Sequence, residues 1–174
     1  MSKSQEKKQE ILALALRTLL KHEAVEKITV DQICREAKVH RSTFYRYFQD
    51  KYDLLQYAFG TLMLSKLDEE DIVDSMISMI IKDKEIFRNV SINNSNNLLY
   101  WMMLDMLTER ILEASLNDRL HNIKWIEETV LTSTDKKLAA NMIAGACLTL
   151  FFKWVESNFQ MSPEELSDFI HHLH

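Results

Sequence analysis

Apolar residues recur along this chain at spacings of three and four, and period-two stretches bounded by turn residues are absent, which predicts helices and no strands. Ile11, Ala15 and Leu19 form the inner face of a first helix. Thr29 with Gln32 three residues later has the form of a capping box, and Val30, Ile33, Cys34 and Ala37 then share one face. A turn at Lys38, Val39 and His40 leads to a second short helix in which Phe44 and Phe48 point inward. Two short amphipathic helices about a tight turn are a helix-turn-helix. The groups left outside are Arg41, Ser42, Thr43, Tyr45, Arg46 and Tyr47, which suit base edges and phosphate oxygens in a major groove.

Asp50 is a good N-cap for a helix starting at Lys51 and running through Leu54, Leu55, Ala58, Phe59 and Met63. Lys51 and that helix N-terminus are both phosphate-binding groups, so Lys51 and Thr29 complete the candidate DNA-contact set. Arg41, Ser42 and Thr43 are expected at bases, and Tyr45, Tyr47 and Lys51 at the phosphate backbone. The acidic run Asp68, Glu69, Glu70 and Asp71 looks like a metal cluster, but it opens an apolar-periodic stretch through Ile72, Met76, Ile80 and Phe87. Acids there suit a helix start, and no metal is expected. A loop is predicted from Asn89 to Asn97.

The next helix, about Leu98 to Leu116, stacks Trp101, Asp105 and Glu109 on one face with Leu98 and Met102 beside them. Together with Met76, Ile80 and Trp125 these residues outline a candidate effector cavity whose acids favour a cationic or hydroxylated compound. A packed core with Asp105 at the surface is the competing expectation. A further helix is predicted from about Asp118 to Leu131. From Leu138 to Phe152 no residue is charged, a run shorter than the roughly 20 apolar residues that span a bilayer, so a buried helix is expected there and no membrane contact. So apolar a helix needs cover on several sides, and a second copy of the chain is a natural one. Gly145, Thr149, Phe152 and Phe159, with Phe169 of a last helix opened by Ser162 and Pro163, are the candidate dimerisation residues.

The residues VHRSTFYRYFQDKYDLL resemble the recognition helix and following segment of the TetR/AcrR family of bacterial transcriptional regulators. Thr43, Phe44, Tyr45, Tyr47, Phe48 and Lys51 match its pattern. The segment GACLTLFFKWVESNFQMSPEELSDFI is similar to the C-terminal domain of a Firmicutes-type branch of that family. The resemblance implies an all-α protein of about nine helices. Residues 1–50 would be a three-helix DNA-binding domain, and residues 51–174 a helical effector-binding and dimerisation domain. It also implies a homodimeric, ligand-responsive repressor on a palindromic double-stranded DNA operator, with the helix after the motif as transmission element. Some relatives in that branch act instead as coactivators through protein contacts. Two departures stand out, because the family usually has Gly where this chain has Lys38, and another Gly near His22 and Glu23. Outside the left-handed region a side chain costs nothing, so either the turn differs or it is modestly strained.

Composition sharpens the picture in one respect. The net charge of −5 hides an asymmetry, because residues 1–51 hold 11 Lys and Arg against 7 Asp and Glu, and the remainder holds 10 against 19. A basic head on an acidic body suits a protein that offers one end to a polyanion. The polar segment before Gln9, with Lys3, Lys7 and Lys8, is expected as a frayed terminus without a signal-peptide core. The two cysteines, far apart in sequence, make neither a disulfide framework nor a metal pair, which fits a reducing cytoplasm. His171, His172 and His174 lie at an end expected to be mobile, so neither they nor any cofactor motif supplies a metal or cofactor site. HExxH, GxSxG and CxxC are absent, and enzyme chemistry is not expected.

Overall fold

The computed structural model describes residues 3–68, 70–91, 98–120 and 122–173. Among them the chain forms ten α-helices, a 3-10 turn and no strand, one helix more than the pattern implied. The contacts divide these helices between two compact units, one of residues up to 66 with 85–91, the other of residues 67–84 with those from 98 onward.

The first unit holds α1 (Lys3–Leu20), α2 (Val30–Glu36), α3 (Arg41–Tyr47), α4 (Lys51–Leu62) and α6 (Lys84–Ser91). Its core is Leu12, Leu16, Leu20, Ile28, Ile33, Phe44, Leu54 and Phe59, all essentially inaccessible. The inner face of α1 is rotated from the expected one. Ile11 is 36% exposed and Leu19 half-buried, whereas Leu12, Ala13, Ala15, Leu16 and Leu20 are buried. With apolar residues at nearly every position from 11 to 16, periodicity offered several faces, and packing against α2 and α4 selected one. The helix also begins at Lys3, so the basic segment expected to fray is its first two turns. Helix α6 joins this unit through the Asn89 side-chain amide, which donates to the Leu20 carbonyl at 2.9 Å, and through an edge-to-face contact of Phe87 with Phe59.

The second unit holds α5 (Ile72–Lys82), α7 (Leu98–Leu116), α8 (Lys124–Thr132), α9 (Lys136–Glu156) and α10 (Pro163–His171). The stretch read as one helix from Ile72 past Phe87 is broken at Asp83, so α5 and α6 are separate elements in different units. Asn89, Val90 and Ser91, expected in a loop, close α6, and the rest of that expected loop, residues 92–97, lies outside the described residues. Helix α9 packs one face against α7 and α8, burying Ala140, Ile143, Ala144, Cys147, Leu148 and Phe151. Its length and hydropathy would allow a membrane span, but the buried face identifies it as a core helix of this unit. It ends in a Schellman turn, with the Phe159 amide on the Trp154 carbonyl at 3.0 Å and the Asn158 amide on Val155 at 3.0 Å. Asn158 takes the left-handed φ of 58° there. The two aromatic rings flanking this turn, Trp154 and Phe159, meet edge to face at 5.1 Å. Ser162 and Glu165 then form a reciprocal capping box with Pro163 at the first position of α10.

Candidate nucleic-acid interface

The helix-turn-helix is fixed at each of its joints. Thr29 Oγ1 accepts from the Gln32 amide at 3.2 Å while Gln32 Oε1 accepts from the Thr29 amide at 2.7 Å. Gln32 Nε2 also donates to Glu23 Oε2 at 3.1 Å, tying the box to the turn after α1. A cap of this kind contributes about 1 kcal/mol. After α2 the Val39 amide reaches the Cys34 carbonyl at 3.0 Å and the Lys38 amide reaches Arg35 at 3.2 Å, the two bonds of a Schellman turn. The residue at its left-handed position is Lys38, at φ 54°. Of the two missing glycines, this one is therefore strained; around His22 and Glu23 the described backbone has no positive φ.

Phe44 and Phe48 seat α3 in the core with 0% and 4% exposure, as the pattern requires. That leaves Arg41, Ser42, Tyr45 and Arg46 exposed, with Thr43 and Tyr47 half-buried at the margins. Arg41 is held in place. Its Nη1 lies 3.0 Å from Asp31 Oδ1, its Nη2 donates to Tyr45 Oη at 3.2 Å, and its guanidinium lies 5.6 Å from the centre of the Tyr45 ring. The Tyr45 bond first, and then the Asp31 charge, raise the guanidinium above even its ordinary value, so it is a permanent cation. Between α2 and α3 lies an open groove of about 610 Å³ lined by Asp31, Cys34, Arg35, Lys38, Val39, His40 and Arg41. Arg35 and Lys38 add two cations that the sequence reading had left out. Their signal was the outer position of Arg35, opposite Ile33 and Cys34, and the proximity of Lys38 to the turn.

Lys51 corrects the expectation most directly. Its Nζ donates to the carbonyls of Val25, Glu26 and Ile28, each at 2.8 Å. An ammonium has three hydrogens, and all three are engaged inside the fold, so none is left for a phosphate. Burial pushes its pKa below the ordinary lysine value, with the Glu26 and Asp50 charges opposing. Lys51 therefore positions the segment between α1 and α2. Asp50 does cap α4, accepting from the amides of Tyr52 and Asp53 at 2.8 and 2.9 Å.

In the second unit the expected cavity face points the other way. Trp101 is 58% exposed, Asp105 is exposed, and Glu109 is an exposed ion pair with Lys137 at 2.6 Å. Trp125 Nε1 donates to the Ile170 carbonyl at 3.1 Å and so fastens α10. Met76, Ile80 and Met102 are core residues. The void beside Met76, lined also by Ile111, Ile126, Cys147 and Phe151, measures about 10 Å³, enough for roughly one water and far below the roughly 300 Å³ of a ligand pocket. Asp105 thus lies outside, as the competing expectation has it, and the void beside Met76 is too small for a ligand.

The candidate dimerisation residues divide as well. Thr149 and Phe169 are exposed, but Gly145 faces Tyr100 and Leu104 of α7, Phe152 packs on Tyr100 at 5.9 Å, and Phe159 belongs to the turn on Trp154. The exposed large apolar residues of α9 are Leu138 and Met142, each 64% exposed and one helical turn apart; neither is among the expected dimerisation residues, and Met142, expected to bound the effector cavity, faces outward.

Two family models cover most of the chain. Residues 11–58 match the bacterial regulatory proteins of the tetR family, and residues 68–174 match a transcriptional regulator C-terminal region. The HTH-type dhaKLM operon transcriptional activator DhaS of Lactococcus lactis subsp. lactis (strain IL1403) is 32% identical, over 45% of this chain and 53% of that protein. The chain thus spans about half the length of the curated relative it matches. Among solved structures, the dihydroxyacetone kinase operon activator DhaS aligns with a TM-score of 0.65 at 19% identity, covering 95% of this chain and 93% of that one. NalD, the secondary repressor of the MexAB-OprM multidrug efflux pump in Pseudomonas aeruginosa, aligns with a TM-score of 0.59 at 18% identity over 95% and 93%. At these identities the structural likeness establishes the fold.

Proposed function

The chain belongs to the TetR family of bacterial regulatory proteins and is a transcriptional regulator of the DNA-binding type, and from that premise we propose that it acts as a cytoplasmic homodimer reading a palindromic operator through α2 and α3. The observation that carries this reading is the exposed cationic groove between those helices, with Arg41 held by Asp31 and Tyr45 beside it. Arg41, Ser42 and Thr43 are assigned to base edges; Thr29, Tyr45, Arg46 and Tyr47 flank them at the phosphates, now joined by Arg35 and Lys38. Residues 1–50 are assigned to DNA contact and the rest to assembly and response. Two heads of a dimer would meet half-sites roughly 34–36 Å apart. Leu138, Met142, Thr149 and Phe169 supply the apolar surface for the second copy.

Repression with release by a small molecule follows if the second unit has an expanded state. The 10 Å³ void is lined by apolar groups only, so such an effector would be apolar rather than the cationic or hydroxylated compound that Asp105 suggested. It lowers operator affinity by no more than its preference for the expanded state. The second reading is activation through a protein partner. It is favoured by the small size of the void beside Met76, by the exposed Trp101, and by the activator named among the relatives.

Selection of bound sequences from a random DNA pool, followed by gel shift across salt concentrations, tests the leading reading. Enrichment of a palindrome with one dimer bound supports it. Recovery of no sequence preference, with binding that vanishes uniformly as salt rises, would overturn it.

A further inference from the structure

We propose that Asp71, Asp74 and His171 form a binding site for a divalent first-row transition-metal ion that clamps the end of α10 to the start of α5. The three side chains come from opposite ends of the second unit's sequence, are all half-buried, and bring one ligand atom each within 4.8 Å of the others. Donors bound at about 2.0–2.2 Å to one ion stand roughly 3–4 Å apart, so small rotations close the set.

His171 Nδ1 lies 2.8 Å from the Ser167 carbonyl and 3.3 Å from the Ser167 hydroxyl oxygen; in the tautomer that donates to the carbonyl, Nε2 keeps the lone pair that a metal ligand needs. Asp71 uses Oδ1 to cap α5 through the Asp74 amide at 3.2 Å, which fixes the carboxylate and leaves Oδ2 for an ion. One imidazole with two carboxylates selects Mn²⁺, Fe²⁺, Co²⁺, Ni²⁺ or Zn²⁺ over Ca²⁺ and Mg²⁺, which take oxygen donors alone. Three protein ligands leave further positions to water, so the ion is exchangeable and suited to regulation.

This site is built neither from the acidic run nor from the terminal histidines as sequence presented them. It joins the last member of the former, and Asp74 one turn further along α5, to the first member of the latter. Trp125, whose indole bonds the carbonyl of Ile170, sits on the residue next to the histidine and reports on it.

The test is titration of the untagged full chain with Zn²⁺ and Mn²⁺ by calorimetry, alongside thermal unfolding and tryptophan fluorescence. One ion per chain is expected, with a concentration-dependent rise in Tm and a fluorescence change. His171→Gln and Asp74→Asn should each weaken binding at least ~10-fold while leaving the metal-free circular dichroism unchanged. Asp71→Ser, which retains the helix cap, should do the same, and His172→Ala should not. Absence of binding by the wild type, binding unaltered in His171→Gln, loss in His172→Ala, or an equal response to Ca²⁺ would each overturn the assignment.

Discussion

Asp31 and Arg41 meet across the turn of the helix-turn-helix, with Oδ1 3.0 Å from Nη1 and both side chains more than half exposed. The carboxylate holds the guanidinium at the groove but also presents a negative charge to any polyanion that enters. Asp31→Ala should therefore raise affinity for all DNA sequences several-fold at low salt, with the gain shrinking as salt rises. Arg41→Ala should instead cost roughly 10- to 100-fold on the best operator and reorder the preferred ones. A gel-shift panel of operators across salt concentrations separates the two, and equal loss on every sequence for Arg41→Ala would remove it from base contact.

Lys51→Met should act on stability rather than on the phosphate backbone. Three carbonyls lose a charged donor, which costs about 2–3 kcal/mol. Chemical denaturation should show that loss, whereas the salt slope of DNA binding by the folded fraction should stay at the wild-type value. A slope smaller by about one would return Lys51 to the phosphates.

Lys38→Gly should stabilise the protein by about 1 kcal/mol, because glycine reaches φ 54° without the steric cost that a side chain carries. Lys38→Val should destabilise it, since a β-branched residue is least tolerant of that region. Thermal unfolding of both variants checks the order glycine, lysine, valine.

Both thiols should resist labelling in the native state. Burial pushes Cys147 up to about 11, and raises Cys34, where the Asp31 charge adds to burial. At pH 8 a thiol reagent should label both within minutes in denaturant and only slowly in the folded protein. The pH dependence of stability has a defined sign. A thiol raised from 9.0 favours the fold fully below pH 9, and that contribution is lost as the pH climbs through about 11. Fast native labelling of Cys147 at pH 8 would show an opened second unit, and of Cys34 an opened first unit.

In the proposed homodimer, Met142→Asp should separate the two copies without unfolding them, because the side chain is 64% exposed. Phe152→Asp should instead unfold the second unit, since that ring packs on Tyr100. Sedimentation combined with circular dichroism distinguishes the outcomes; an unchanged sedimentation coefficient for Met142→Asp would place the interface elsewhere.

Much of the helix-turn-helix was legible because its determinants are local. The capping box at Thr29, the inward Phe44 and Phe48, and the Ser162-Pro163 start of α10 each follow from residues within one or two turns of one another. At Lys38 the sequence left open a different turn or a modest strain, and the φ of 54° decides for strain. The same local logic failed where a segment was apolar on more than one side. In α1 and α7, periodicity allowed several inner faces, and Ile11 and Trp101 are exposed because the neighbouring helices cover other positions.

Local determinants along the chain suffice for an all-α fold, for the position of the motif and for which of its faces meets solvent, because helix caps and apolar periodicity act over a few residues of backbone. Long-range packing alone settles that Lys51 turns inward to three carbonyls, that Asp105 and Glu109 lie at the surface, and that Asp71 and Asp74 stand beside His171. Each of these depends on which distant segment supplies the neighbouring atoms. An ammonium near exposed carbonyls and an ammonium near a phosphate look alike in sequence, and only packing chooses between them.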